Sequence, residues 1–125
     1  MENLDNFLDN LFDLVVDLKA NHKEVVDEVY SKYHDLVNMS YSELKAWSET
    51  ECSKKASLDR GPINRNLNLL SKKKSEWGAD EVKAANRTIS FISRMKNMEQ
   101  GEPVSKDCPS KRDISLKNWA YNPNK

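Results

Sequence analysis

Leu4, Leu8, Leu11, Val15, Leu18, His22, Val25, Val29 and Leu36 recur in alternating steps of four and three, interrupted at Lys32. That 3.5-residue period is the seam of a helix packed against another helix, and a strand has no use for it. Phe7, Phe12, Leu14, Val26, Tyr30, Tyr33 and Val37 widen the stripe beyond a two-helix seam. Burial in a bundle or an oligomer therefore fits better than a simple zipper. Unbroken from Leu4 to Asn38, such a helix would be ~50 Å long at 1.5 Å per residue. A chain of 125 residues is a single-domain length, and one helix of that reach must protrude, pair with another copy, or break near Asn21-His22.

The remaining punctuation is helical too. Ser40-Tyr41-Ser42-Glu43 is a capping box, with Met39 and Leu44 placed as a hydrophobic staple. It predicts a second helix that buries Leu44 and Trp47, extends toward Cys52 and Ala56, and stops at Asp59-Arg60-Gly61-Pro62. A third helix is expected from Pro62 to about Leu70, followed by a basic, solvated connection over Ser71–Ser75. A fourth runs from about Ala79 to Met98 on Val82, Ala85, Ile89 and Ile92, and Gly101-Glu102-Pro103 ends it. Val104–Pro109 reads as loop. Lys111–Tyr121 reads as a last short helix with Ser110 as N-cap and Asp113 at N3. Strand alternation is absent, and three glycines and four prolines are few for a strand-and-turn protein. The expected class is all-α: a long N-terminal amphipathic helix, residues 1–38, then a compact basic bundle of about four shorter helices, residues 39–125.

Twenty basic and twenty acidic side chains cancel, but not along the chain. Residues 1–51 hold twelve acids and four bases, a net of −8; residues 52–125 hold eight acids and sixteen bases, a net of +8. Such asymmetry points to electrostatic partners. Asp5, Asp9, Asp13 and Asp17 repeat every four residues away from the seam. They form either a solvated acidic face or a ladder that meets a basic surface of this chain or a neighbour. Lys72, Lys73, Lys74, Arg87, Arg94, Lys96, Lys111, Arg112 and Lys117 concentrate the positive charge after residue 70. Trp119 and Tyr121 beside Lys117 have the composition of a base-stacking surface, although Trp119 equally suits the core of the last helix. No helix-turn-helix or zinc-finger motif accompanies them.

Other chemistries find little. No apolar run approaches 18 residues, which excludes a membrane span. The acidic opening Met-Glu-Asn-Leu-Asp is wrong for a signal or transit peptide. Cys52 and Cys108 lie 56 positions apart without a CxxC pair, which argues against a disulfide framework and for reduced intracellular thiols. His22, His34, Cys52 and Cys108 have no partner at metal-ligand spacing, and His22 suits a register-setting role in the seam. A Gly-x-Ser-x-Gly elbow and a glycine-rich phosphate loop are both missing. The expectation is a non-enzymatic protein with no cofactor and no metal.

Ala85-Asn86-Arg87-Thr88-Ile89-Ser90-Phe91-Ile92-Ser93-Arg94-Met95, followed by Ser110-Lys111-Arg112-Asp113-Ile114-Ser115-Leu116-Lys117-Asn118-Trp119-Ala120, resembles a segment of small uncharacterised proteins of tailed phages and archaeal viruses. The likeness spans residues 41–125 and carries no catalytic residues. It implies a viral origin, hence virion assembly or handling of a viral genome, in the virion or host cytoplasm. The leading expectation is self-association, or docking on another virion protein, through Leu4, Phe7, Leu8, Leu11, Phe12, Val15 and Leu18. The rival is nucleic-acid or acidic-partner binding through Lys72, Lys73, Lys74, Arg94, Lys111, Arg112 and Lys117.

Overall fold

A computed structural model describes residues 22–125. They form five α-helices and one small hairpin: α1 (His22–Leu36), α2 (Tyr41–Ser48), α3 (Gly61–Ser71), α4 (Ala79–Met95), β1 (Pro103–Ser105), β2 (Cys108–Ser110) and α5 (Lys111–Asn118). Two 3-10 turns, Cys52–Lys54 and Lys74–Glu76, sit in the connections. The long apolar stripe is helical where it is described. Its residues 1–21, with the bend expected at Asn21-His22, lie outside the described residues.

α1 packs chiefly on α4 and buries Val26, Val29, Tyr33 and Val37. These residues share one core with Leu44, Trp47, Ile63, Leu69, Trp77, Val82, Ala85, Ile92, Ile114 and Leu116. The second half of the expected N-terminal arm is therefore part of the body, because α1 supplies one wall of its core. α2 begins as its capping box requires. Glu43 N–H donates to Ser40 Oγ (3.1 Å), Ser40 N–H donates to Glu43 Oε1 (3.0 Å), and Met39 and Leu44 are both buried.

The end of α2 departs from expectation. It stops at Ser48 rather than continuing to Ala56. Ser and Thr side chains there offer the backbone a local alternative. Thr50 Oγ1 donates to the Trp47 carbonyl (2.6 Å) and Ser53 Oγ to the Thr50 carbonyl (2.8 Å). Arg60 Nη2 then holds the Ser48 carbonyl (3.1 Å) and Ser53 Oγ (3.0 Å). Trp47 Nε1 donates to Asn118 Oδ1 (2.7 Å), and Asn118 Nδ2 to the Ser53 carbonyl (3.1 Å), which ties this turn to α5.

Two further expectations are corrected in the C-terminal part. Residues 104–109 are not loop: β1 and β2 pair antiparallel, Pro103 opposite Ser110 and Ser105 opposite Cys108. Gly101, at φ 77°, supplies the left-handed turn that leads into the hairpin. Cys52 and Cys108 are a disulfide pair, with Cα atoms 5.5 Å apart, fastening β2 to the turn after α2. The expected reduced thiols are thus replaced by a covalent staple that chain spacing alone did not reveal. At α5, Asp113 N–H donates to Ser110 Oγ (3.2 Å), as the N-cap predicts. The Asp113 carboxylate does not return to close the box. It receives Arg112 Nη2 (2.8 Å) and Gln100 Nε2 (2.6 Å) instead, locking the approach to the hairpin.

The helices are held in register by buried polar groups. Asn66 Oδ1 accepts from Tyr33 Oη (2.6 Å) and from Thr88 Oγ1 (3.0 Å), while Asn66 Nδ2 donates to the Pro62 carbonyl (2.9 Å). All three side chains are fully buried, so one amide joins α1, α3 and α4. Burial pushes the Tyr33 phenol above its usual pKa, and it remains a donor.

The C-terminal tail closes the body. Ala120 takes the left-handed conformation (φ 67°) that ends α5, with Tyr121 N–H on the Leu116 carbonyl (2.9 Å) and Ala120 N–H on the Lys117 carbonyl (3.0 Å). Its own carbonyl accepts from Asn38 and Met39. Asn38 and Asn122 exchange side-chain-to-backbone bonds of 2.9 and 2.6 Å. Lys125 Nζ reaches Glu43 (2.8 Å), and that bond, with the Ser40 N–H next, holds the Glu43 carboxyl well below its usual 4.5, at about 2. Lys125→Ala is expected to raise the Glu43 midpoint, as read by carboxyl NMR. The folded pKa is depressed, so this bond contributes stability fully above about pH 4.5 and loses it as pH falls through about 2.

Candidate functional site

The basic residues do not converge as one cluster. Lys72 Nζ is paired with Glu81 Oε2 (3.0 Å), half-buried, so the segment after α3 is not merely solvated. Burial works against the Glu81 carboxylate, but the Gly78 N–H and Lys72 outweigh it and its pKa is lowered. Lys74 bonds Asp27 on α1 (3.2 Å). Arg112 is held by Asp113 and by the Met98 carbonyl (2.9 Å). Lys117 lies over the Trp47 ring, 4.0 Å from its centroid, and burial lowers its pKa against the pull of Asp113. These four cations brace the fold. Lys73, Arg94 and Lys111 are exposed, and α4, ~25 Å long, separates Lys73 from Arg94.

Trp119 is also committed. Its ring stacks on Phe91 at 4.2 Å, and the Arg65 guanidinium sits 5.3 Å from its centroid. It anchors α5 to α4 and α3, and the base-stacking role expected of it is taken by internal neighbours.

What the fold does assemble is one face of α4. Val82, Ala85, Thr88 and Ile92 point into the core. On the opposite side, Lys83, Arg87 and Arg94 fall at spacings of four and seven, all exposed, with exposed Ser90 between them. Asp80 is the acid nearest along this face. No ion pair joins Arg87 or Arg94 to a described residue. Arg94 was among the residues expected at a contact surface. Lys83 was missed, although its offset from Arg87 and Arg94 in the sequence is the signal that finds it. Such a row presents planar guanidinium donors suited to phosphate or carboxylate oxygens. Leu4, Phe7, Leu8, Leu11, Phe12, Val15 and Leu18 lie outside the described residues. Among the described residues, no three His, Cys, Asp or Glu side chains group as metal ligands, and no helix is long and apolar enough to cross a membrane.

The fold and this face define a small, mainly helical domain braced by one disulfide and carrying an exposed basic helix. The chain belongs to the family described as protein of unknown function (DUF3140), whose model matches residues 32–117, from within α1 to the last turn of α5. No curated protein and no solved structure matches it. The viral origin implied by the sequence resemblance has no counterpart in these comparisons.

Proposed function

We propose that the protein binds nucleic acid through the outer face of α4, gripping the phosphate backbone with Arg87 and Arg94. The observation that carries this reading is the line of exposed cations on a 17-residue helix whose other side is fixed in the core. Arg87 and Arg94 stand about 10 Å apart along the axis at 1.5 Å per residue. A duplex major groove, about 12 Å wide, accepts a helix of this kind. Ser90 on the same face adds a neutral hydrogen-bonding group, the pattern of a backbone-positioning surface more than of a base-reading one. The virion-assembly reading drew on residues 4–18 and on the viral resemblance; the α4 face supports contact with a polyanion more directly.

Fluorescence anisotropy with a 20-base-pair duplex tests it. Arg87→Ala/Arg94→Ala is expected to weaken binding roughly 100-fold at 50 mM salt, because each phosphate contact carries about tenfold there. Both side chains are exposed, so the variant keeps its fold. Equal affinity of the variant and the parent protein would remove α4 from the interface.

A further inference from the structure

We propose that Arg65 on α3 is a further phosphate contact, so that the bound backbone runs off α4, past the Phe91–Trp119 stack, and onto α3. The inference rests on the reading of α4 as the nucleic-acid face, and extends that face to a second helix. Phe91 comes four residues after Arg87 and three before Arg94, which sets it beside both on α4. It also follows Thr88 by three, and Thr88 bonds Asn66 of α3, so Phe91 stands on the flank of α4 nearest α3. Trp119 spans the remaining gap. Phe91 stacks on its ring and the Arg65 guanidinium lies over it, so a single half-buried ring separates the α4 row from Arg65.

The guanidinium is otherwise unengaged. Among the described residues no hydrogen bond or ion pair takes it, and its Nε is buried without a partner. The two terminal nitrogens have no partner either, and they are not closed off from solvent as Nε is. Asp59 Oδ1 and Arg65 Nη1 both lie beside Gly61, but that carboxylate is taken by the Gly61 N–H (2.9 Å) without pairing with Arg65. Lys72, Lys74 and Arg112 are each answered by a carboxylate, and Arg65 is not.

The ring supplies order in place of a counter-charge. A guanidinium is drawn to an aromatic face and lies flat on it, which keeps its fork of donors in one place. A phosphate arriving there meets donors already positioned, and the side chain loses less freedom than a loose surface arginine would. Arg87 and Arg94 then hold the backbone on α4, and Arg65 fixes the direction in which it leaves.

Fluorescence anisotropy with the 20-base-pair duplex tests this on the full chain, on Arg65→Gln and on Arg65→Lys. Arg65→Gln keeps a stem and a planar amide against Trp119 and loses the charge. It is expected to bind about tenfold more weakly at 50 mM salt, with a slope of log K against log salt shallower by about 1. Arg65→Lys keeps the charge and is expected to restore the slope but only part of the affinity, because an ammonium has no planar fork. A lower thermal midpoint for Arg65→Gln with the parent's slope means a structural role alone, and overturns the proposal. Unchanged binding by Arg65→Gln beside weakened binding by Arg87→Ala/Arg94→Ala also overturns it, and leaves the α4 reading standing. A shallower slope for Arg65→Gln with unchanged binding by Arg87→Ala/Arg94→Ala supports the Arg65 contact and overturns the α4 reading. No duplex binding by the parent protein overturns both.

Discussion

Reducing the Cys52–Cys108 bond is expected to lower the unfolding free energy by about 4 kcal/mol, the chain-entropy value for a loop of this length. For a domain near 100 residues that is a fall in Tm of about 20 °C. The staple closes the chain from the turn after α2 to β2, so the reduced unfolded state regains the freedom of everything between them. In the folded state, β2 still leads directly into α5, whose Ile114 and Leu116 are in the core. Loss of the bond therefore leaves a folded but weaker protein. Urea unfolding with and without a dithiol reductant measures the difference, and Cys52→Ser/Cys108→Ser should reproduce it without reductant. Identical midpoints in all three cases would mean that the cysteines do not constrain the unfolded chain.

Asn66→Ala is expected to cost about 3 kcal/mol or more. It leaves the Tyr33 and Thr88 hydroxyls buried without an acceptor, at ~1–3 kcal/mol each. The same substitution disconnects α1, α3 and α4, and native-state hydrogen exchange should speed up in all three helices together. Tyr33→Phe alone removes one donor and leaves Asn66 bonded to Thr88, so it should cost only ~1 kcal/mol. Asn66→Leu with Tyr33→Phe and Thr88→Val replaces the whole polar knot by apolar groups, and should recover most of the loss. Failure to recover would show that the amide contributes through packing rather than through its hydrogen bonds.

The contrast between these two devices shows what the residues announce. Helices α3, α4 and α5 were legible because their signals are local: Pro62 at the start of α3, the Val82–Ile92 stripe of α4, Ser110 before α5. The start of α2 was legible for the same reason, and its end was not. Ser48, Thr50 and Ser53 break the helix by side-chain bonds completed only by Arg60 and Asn118, which come from elsewhere in the fold. A three-residue strand is too short to show alternation, so β1 and β2 left no trace in the pattern. The cysteine pair depends on the same hairpin and was hidden with it. Asn66 was unremarkable in sequence, since nothing local tells a buried asparagine from a surface one.

The basic surface was half legible. The excess of positive charge after residue 70 was plain, but a count weighs Lys72, Lys74, Arg112 and Lys117 equally with Arg94. Only the fold separates cations that brace it, against Glu81, Asp27, Asp113 and Trp47, from those left to meet a partner. Register along α4 then groups Arg94 with Arg87, and leaves Lys73 and Lys111 away from that line.

The dependence of duplex affinity on salt addresses the central claim most directly. With Arg87 and Arg94 on phosphates, log K against log salt should fall with a slope of about −2 or steeper, and Arg87→Ala/Arg94→Ala should make it shallower by about 2. An unchanged slope in that variant, or no binding by the parent protein at 50 mM salt, would contradict the assignment of α4 as the nucleic-acid face.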